Sequence, residues 1–251
     1  MERGPHHVTR TPTLILIACA TLLVSGTARA ATPVIPLYHA SYAVNRNDFR
    51  IGTATFSLTR NPDGSYTYQS VTRATGLAAL FFSDVITETS EFTLNGGHVQ
   101  AQRYAYTHSN NDHDAPEHIR FDWKTGSAQL GEGKSSKSVR IASDTYDRAL
   151  AQLAISLDLA AGKPATNYTV LDHGKLTHYR MQQGKDTQLH TPDGNYQVIE
   201  LLRKNEKKKR TTTLWLAPKL DYLPVKIKQT EPGKATITLT LTSIKFDMPS
   251  S

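Results

Sequence analysis

The 251 residues carry a formal net charge of +7 and one cysteine, Cys19. A lone cysteine excludes a disulfide-stapled scaffold, so the fold must rest on its apolar core. The basic balance suits either a plain soluble surface or contact with an anionic envelope surface of lipid or lipopolysaccharide head groups.

Arg3 and Arg10 precede the apolar run Leu14–Val24, and Ala28-Arg29-Ala30 supplies small residues at the two positions a signal peptidase reads. The run is too short to span a bilayer with margin. This predicts a secretory signal peptide over residues 1–30, one β-rich domain over 31–251 without a transmembrane span, and a periplasmic location. Leu16-Ile17-Ala18-Cys19 also fits a lipoprotein box with an acylated Cys19. The apolar run continues past Cys19, however, where lipid-anchored chains turn polar. Cleavage after Ala30 removes Arg3, Arg10, Arg29 and Glu2 and lowers the net charge to +5. Nucleic acid does not fit an exported chain that lacks a binding motif.

Tyr38–Val44 and Phe49–Thr59 read as strands, with Gly52 marking a bulge or a close backbone approach. Asn61-Pro62-Asp63-Gly64 turns the chain into Ser65–Thr72. Val85–Leu94 and Val99–Thr107 form a hairpin through Asn95-Gly96-Gly97. Beyond the polar loop Ser109–Glu117, Ile119, Phe121 and Trp123 share one face of a short strand that returns at Ser127–Leu130. Gly131–Ser138 is a polar loop. Asp144–Ala161 is predicted as the one long helix, capped by Ser143 or Asp144 and stopped by Gly162 and Pro164. Its apolar residues, from Tyr146 through Ala160, cover too wide an arc for a narrow surface stripe, so the helix should lie against, or be wrapped by, a curved sheet.

Strands resume from Asn167 to Phe246, and Leu214–Gln229 forms a hairpin whose connection is bracketed by Pro218 and Pro224. About a dozen strands with regular turn signals predict a mainly β fold: a single antiparallel sheet curled into a barrel or half-barrel around one long α-helix.

Chemistry-bearing motifs are sparse. His108, His113 and His118 lie near Asp112, Asp114 and Glu117, but five-residue spacing matches no helical or strand ligand pair, and an Asn/Asp-rich turn explains the stretch. Glu88 and Glu91 fall on opposite faces of a strand and make no shared acid–base site. No nucleophile elbow, phosphate loop or CxxC is present. The expectation is a protein that is not an enzyme and holds no metal or cofactor. Lys204–Arg210 reads as a solvated basic hairpin tip. Thr75–Phe82 is the most apolar run of the mature chain. It either plugs the end of the core, or Leu77, Leu80, Phe81 and Phe82 wall or cover an apolar cavity for a lipid or lipidated partner.

Several stretches carry a resemblance: Gly52-Thr53-Ala54-Thr55-Phe56, Gly64–Tyr68, Ala74–Leu77, Glu88-x-Ser90-Glu91-Phe92, Phe121-Asp122-Trp123, and above all Trp215-Leu216-Ala217-Pro218 with Tyr222-Leu223-Pro224-Val225-Lys226-Ile227. Over nearly all of the mature chain the sequence resembles DUF3108, a family of exported bacterial proteins of unknown function. The resemblance implies a periplasmic antiparallel β-domain with no established activity. The last hairpin is also similar to one in the periplasmic lipoprotein-carrier fold, an open barrel around an apolar cavity. Three functions stay open: a binding or envelope-associated protein with such a cavity, an interaction module with a filled core and a basic docking tip, and a hydrolase without a recognisable motif.

Overall fold

The computed structural model describes Met1 and residues 35–247 apart from 81–83, 96–97, 111–114, 132, 134–135 and 206–208. The expected signal segment, with Cys19, lies outside the described residues, as do the Gly96-Gly97 turn and the middle of the basic tip.

Among the described residues sixteen strands form, in chain order. The first eight are β1 (Tyr38–Arg46), β2 (Phe49–Arg60), β3 (Tyr66–Ala74), β4 (Val85–Asn95), β5 (His98–His108), β6 (Glu117–Asp122), β7 (Ser127–Leu130) and β8 (Lys137–Arg140). Then come β9 (Thr145–Tyr146), the helix α1 (Arg148–Ala160), β10 (Asn167–Asp172), β11 (Lys175–Gln183), β12 (Thr187–Thr191), β13 (Gly194–Asn205), β14 (Arg210–Ala217), β15 (Leu223–Thr230) and β16 (Ile237–Phe246). One sheet runs β8-β7-β6-β5-β4-β3-β2-β1-β16-β15-β14-β13-β11-β10-β9, with β12 paired to β13. All its ladders are antiparallel except β9 with β10.

The fold is mainly β, as the alternation implies. The strand total exceeds the dozen expected, in part because β8 and β9, four and two residues long, are too short to show a period. The sheet is open, with β8 and β9 as its two ends. Only residues 141–144 separate those ends along the chain, so they lie within about 18 Å of each other. The sheet must therefore curl until its ends nearly meet.

The helix is shorter than the sequence suggests. Thr145 and Tyr146 pair with Thr169 and Val170 as a parallel ladder instead of starting the helix. Asp147 then caps it by accepting a 2.8 Å hydrogen bond from the Leu150 amide. Leu150 and Leu153 join the larger core cluster. Ala151, Ala154 and Ile155 join a second one with Tyr168, Val170, Leu201 and Leu216. Both sides of α1 are thus covered, which accounts for its wide apolar arc.

Gly52 does both things expected of it. The β1–β2 register shifts beside it, between Val44 and Asn45. A Cβ at Gly52 would also lie 2.3 Å from the Arg73 carbonyl oxygen, closer than any methyl can approach. In the hairpin of β14 and β15 the connection is a short 3-10 turn, Pro218–Leu220, followed by left-handed backbone at Asp221 and Tyr222. Pro224 sits where the β14–β15 register shifts, the place a proline is tolerated in a ladder. Its carbonyl accepts a 2.8 Å hydrogen bond from the buried Tyr42 hydroxyl. The Tyr222 carbonyl accepts one from Ser156 of α1 at 2.9 Å. The hairpin therefore props the helix from one side.

Candidate functional site

The interior is where a ligand would be expected, and side chains occupy it. Tyr42, Phe92, Leu58, Leu150, Leu216 and Leu241 are fully buried. Tyr42 and Phe56 rings lie 4.8 Å apart and Tyr66 stacks on Phe92 at 5.3 Å. One apolar concavity opens where α1 meets β1 and β15, lined by Ile35, Tyr38, Leu153, Leu157, Leu223 and Phe246. It holds about 20 Å³, room for little more than a water molecule.

Within the apolar run expected to plug the core or cover a cavity, the described residues lie at the surface. Gly76–Leu80 forms a single 3-10 turn beyond β3 with no buried residue. Leu77 and Leu80 are 80% and 75% exposed, so neither plugs the core. Neither lines the apolar concavity. Phe81 and Phe82 lie outside the described residues.

Charged residues converge instead at the seam between the two ends of the sheet. Arg148, the first residue of α1, is the hub. Its Nη2 and Nε donate to the Tyr104 hydroxyl at 2.7 and 3.1 Å, and that hydroxyl donates to Glu88 at 2.6 Å. Arg148 lies 3.2 Å from Glu88, 3.5 Å from Asp172 and 4.0 Å from Glu117. The guanidinium also faces the Tyr106 ring at 4.8 Å. Arg148 Nη1 is 2.8 Å from His173 Nε2. An arginine nitrogen can only donate, so Nε2 accepts and the imidazole proton sits on Nδ1, which points to Glu117 Oε2 at 3.7 Å. Glu88, Tyr104 and Glu117 come from β4, β5 and β6, whereas Asp172 ends β10 and His173 follows it in the β10–β11 turn.

The electrostatics follow from this crowding. Burial lowers the Arg148 pKa, but Tyr104, Glu88 and Asp172 outweigh it and hold the guanidinium charged. Burial raises the Glu117 carboxyl above the usual carboxylate range, although Arg148 and His173 pull it down. Both Glu117 oxygens and Asp172 Oδ1 are buried without a hydrogen bond. Beside them Asp147 is fully buried, and burial pushes its pKa up to about 7 against the Ser90 and Leu150 hydrogen bonds that lower it. Ser90 donates to Asp147 Oδ2 at 2.6 Å. A serine beside a carboxylate suggests a nucleophile and base, yet both residues are 0% exposed and closed to any substrate.

The histidine-rich stretch separates. His108 ends β5, 3.7 Å from Asp84, and His118 lies in β6, while Asp112, His113 and Asp114 lie outside the described residues. Among the described residues no three His, Cys, Asp or Glu side chains are grouped to hold a metal ion, and no helix is long and apolar enough to cross a membrane.

Sequence reasoning missed the seam because its members are scattered from Glu88 to His173. One local signal was available. An arginine at the first helical position faces the positive end of the helix dipole, an unfavourable site unless tertiary partners hold it.

Comparison with known proteins extends the fold and not the chemistry. None of the curated proteins is similar in sequence. A crystal structure of a β-barrel-like protein of the domain of unknown function DUF1849 from Brucella abortus superposes with a TM-score of 0.54 at 11% identity, covering 87% of this chain and all of that one. A candidate lipoprotein from Parabacteroides distasonis aligns at 10% identity over 85% of this chain and 97% of that one, but its TM-score of 0.34 supports no argument. With the model of the family described as "Protein of unknown function (DUF3108)" matching residues 38–242, the chain belongs to that family.

Proposed function

We propose that this protein is a non-catalytic, envelope-associated interaction module that meets its partners with its outer surface. The observation that carries this reading is the occupied interior. Drug- or acyl-sized ligands need pockets of about 300–1,000 Å³, and the apolar concavity beside α1 holds about 20 Å³. A carrier of lipid or lipidated proteins would have to expel core aromatics to make room. The buried Ser90–Asp147 pair and the salt-bridged Arg148 cluster support structural roles for the groups that otherwise resemble catalytic ones. The exported, periplasmic setting rests on the signal-like segment at residues 1–30.

Native mass spectrometry of protein purified without detergent from its own host, after a high-salt wash, tests the reading. The expected spectrum shows the chain alone. A stoichiometric lipid that survives the wash would favour a carrier and sink the filled-interior module.

A further inference from the structure

Apolar exposure in this domain is polarised. Phe49, Leu77, Leu80 and Leu176 are the large apolar side chains exposed among the described residues of the domain, at 77%, 80%, 75% and 42%. All four lie at one end of the barrel. Phe49 opens β2 directly after the β1–β2 turn, and Leu77 and Leu80 follow the end of β3. Gly52 pairs with Ala74, and Thr75 donates a 3.1 Å hydrogen bond to the Ile51 carbonyl, so these two segments are neighbours. Leu176, the second residue of β11, lies on the far side of the same rim. Solvent exposure of the neighbouring Phe49, Leu77 and Leu80 costs about 25 cal/mol per Å² of apolar surface, which points to a partner that removes them from water.

The charges around them identify that partner's chemistry. Arg46, Arg50 and Arg73 are exposed and lie at the same end, next to Phe49 and the 3-10 turn. On the neighbouring outer face, a polar hollow of about 650 Å³ is lined by Lys226, Lys228, Asn45, Asn47 and three threonines. Asp48 is the acidic residue on its wall. Apolar tips flanked by three arginines, with Asp48 and Asp84 as acidic neighbours, beside a hydroxyl- and amine-lined hollow, complement an anionic bilayer: side chains enter the acyl boundary while arginines and lysines meet phosphates.

We infer that this rim docks the domain onto an anionic membrane surface through Phe49, Leu77 and Leu80, steered by Arg46, Arg50 and Arg73. The inference rests on the outer-surface reading above and names its partner.

Co-sedimentation of the purified protein with phosphatidylglycerol-containing vesicles, against pure phosphatidylcholine vesicles, tests it. Binding is expected to the anionic vesicles, at least tenfold stronger than to neutral ones, and to weaken as salt rises. The L77S/L80S variant is expected to bind at least tenfold more weakly with its melting temperature unchanged, because both leucines are exposed. The R46E/R50E/R73E variant is expected to lose the preference for anionic vesicles. Absence of binding, equal binding to both vesicle types, or wild-type binding by both variants would overturn the proposal. So would self-association in sedimentation velocity that L77S/L80S dissolves, since it would assign the patch to a second copy. Failed docking leaves the filled interior standing, whereas recovered lipid in the native spectrum removes the filled interior without touching the rim.

Discussion

Replacing Arg148 by methionine is expected to destabilise the domain by about 2–4 kcal/mol, below the range of about 3–5 kcal/mol for a fully buried ionic pair because these groups are only partly buried. The Arg148 side chain is only 19% exposed, and Glu88, Glu117 and Asp172 all lie within 4.0 Å of it. Methionine keeps much of the packing against Tyr104 and Tyr106 but leaves three carboxylates facing one another. Because those carboxylates come from the two sides of the seam, β4 and β6 on one and β10 on the other, the loss falls there, and amides of β9 and β10 should exchange faster than those of β1 and β2. Urea unfolding measures the total, and a cycle with E117Q/D172N isolates the ionic part. The double neutralisation in the methionine background should recover stability. A loss below about 1 kcal/mol would place the cluster with ordinary solvent-screened surface pairs.

The second large effect is a pH dependence centred on Asp147. Its carboxyl is held near 7 in the folded protein, with burial as the main cause, against about 3.9 in an unfolded chain. The folded state therefore keeps a proton that the unfolded state releases. The stability this contributes is complete below about pH 4, falls as pH rises, and is gone above about pH 7. The window is worth about 4 kcal/mol at most. Asp147→Asn removes the titration while retaining a capping oxygen for the Leu150 amide and a donor for Ser90. Wild-type and D147N stabilities, measured by urea unfolding from pH 4 to 8, should therefore diverge, with D147N the relatively more stable at the upper end. Parallel curves would show that Asp147 does not hold its proton in the fold.

Local features of the fold were readable from residues whose requirements are local. Gly52 lacks a side chain because the Arg73 carbonyl occupies that space. Alternation in β1 shows directly in its buried Tyr38, Ala40, Tyr42 and Val44. The helix start was misplaced because Thr145 and Tyr146 gain a ladder with β10 that nothing within residues 144–161 announces. The Arg148 cluster was hidden for the same reason: its carboxylates sit on β4, β6 and β10, and only curling of the sheet brings them together. Apolarity identified Leu77 and Leu80 as unusual, but not which way they point. A 3-10 turn of five residues buries nothing by periodicity, and here it leaves both leucines in solvent.

Whether the barrel is filled is tested most directly by a crystal of the protein pressurised with xenon, since dry apolar cavities of about 150 Å³ take up the gas. The expected result is no ordered xenon among Tyr42, Phe92, Tyr104 and Leu150, the side chains that occupy the interior. A column of xenon sites between the sheet and α1 would contradict a filled interior and return the domain to the carriers of apolar ligands.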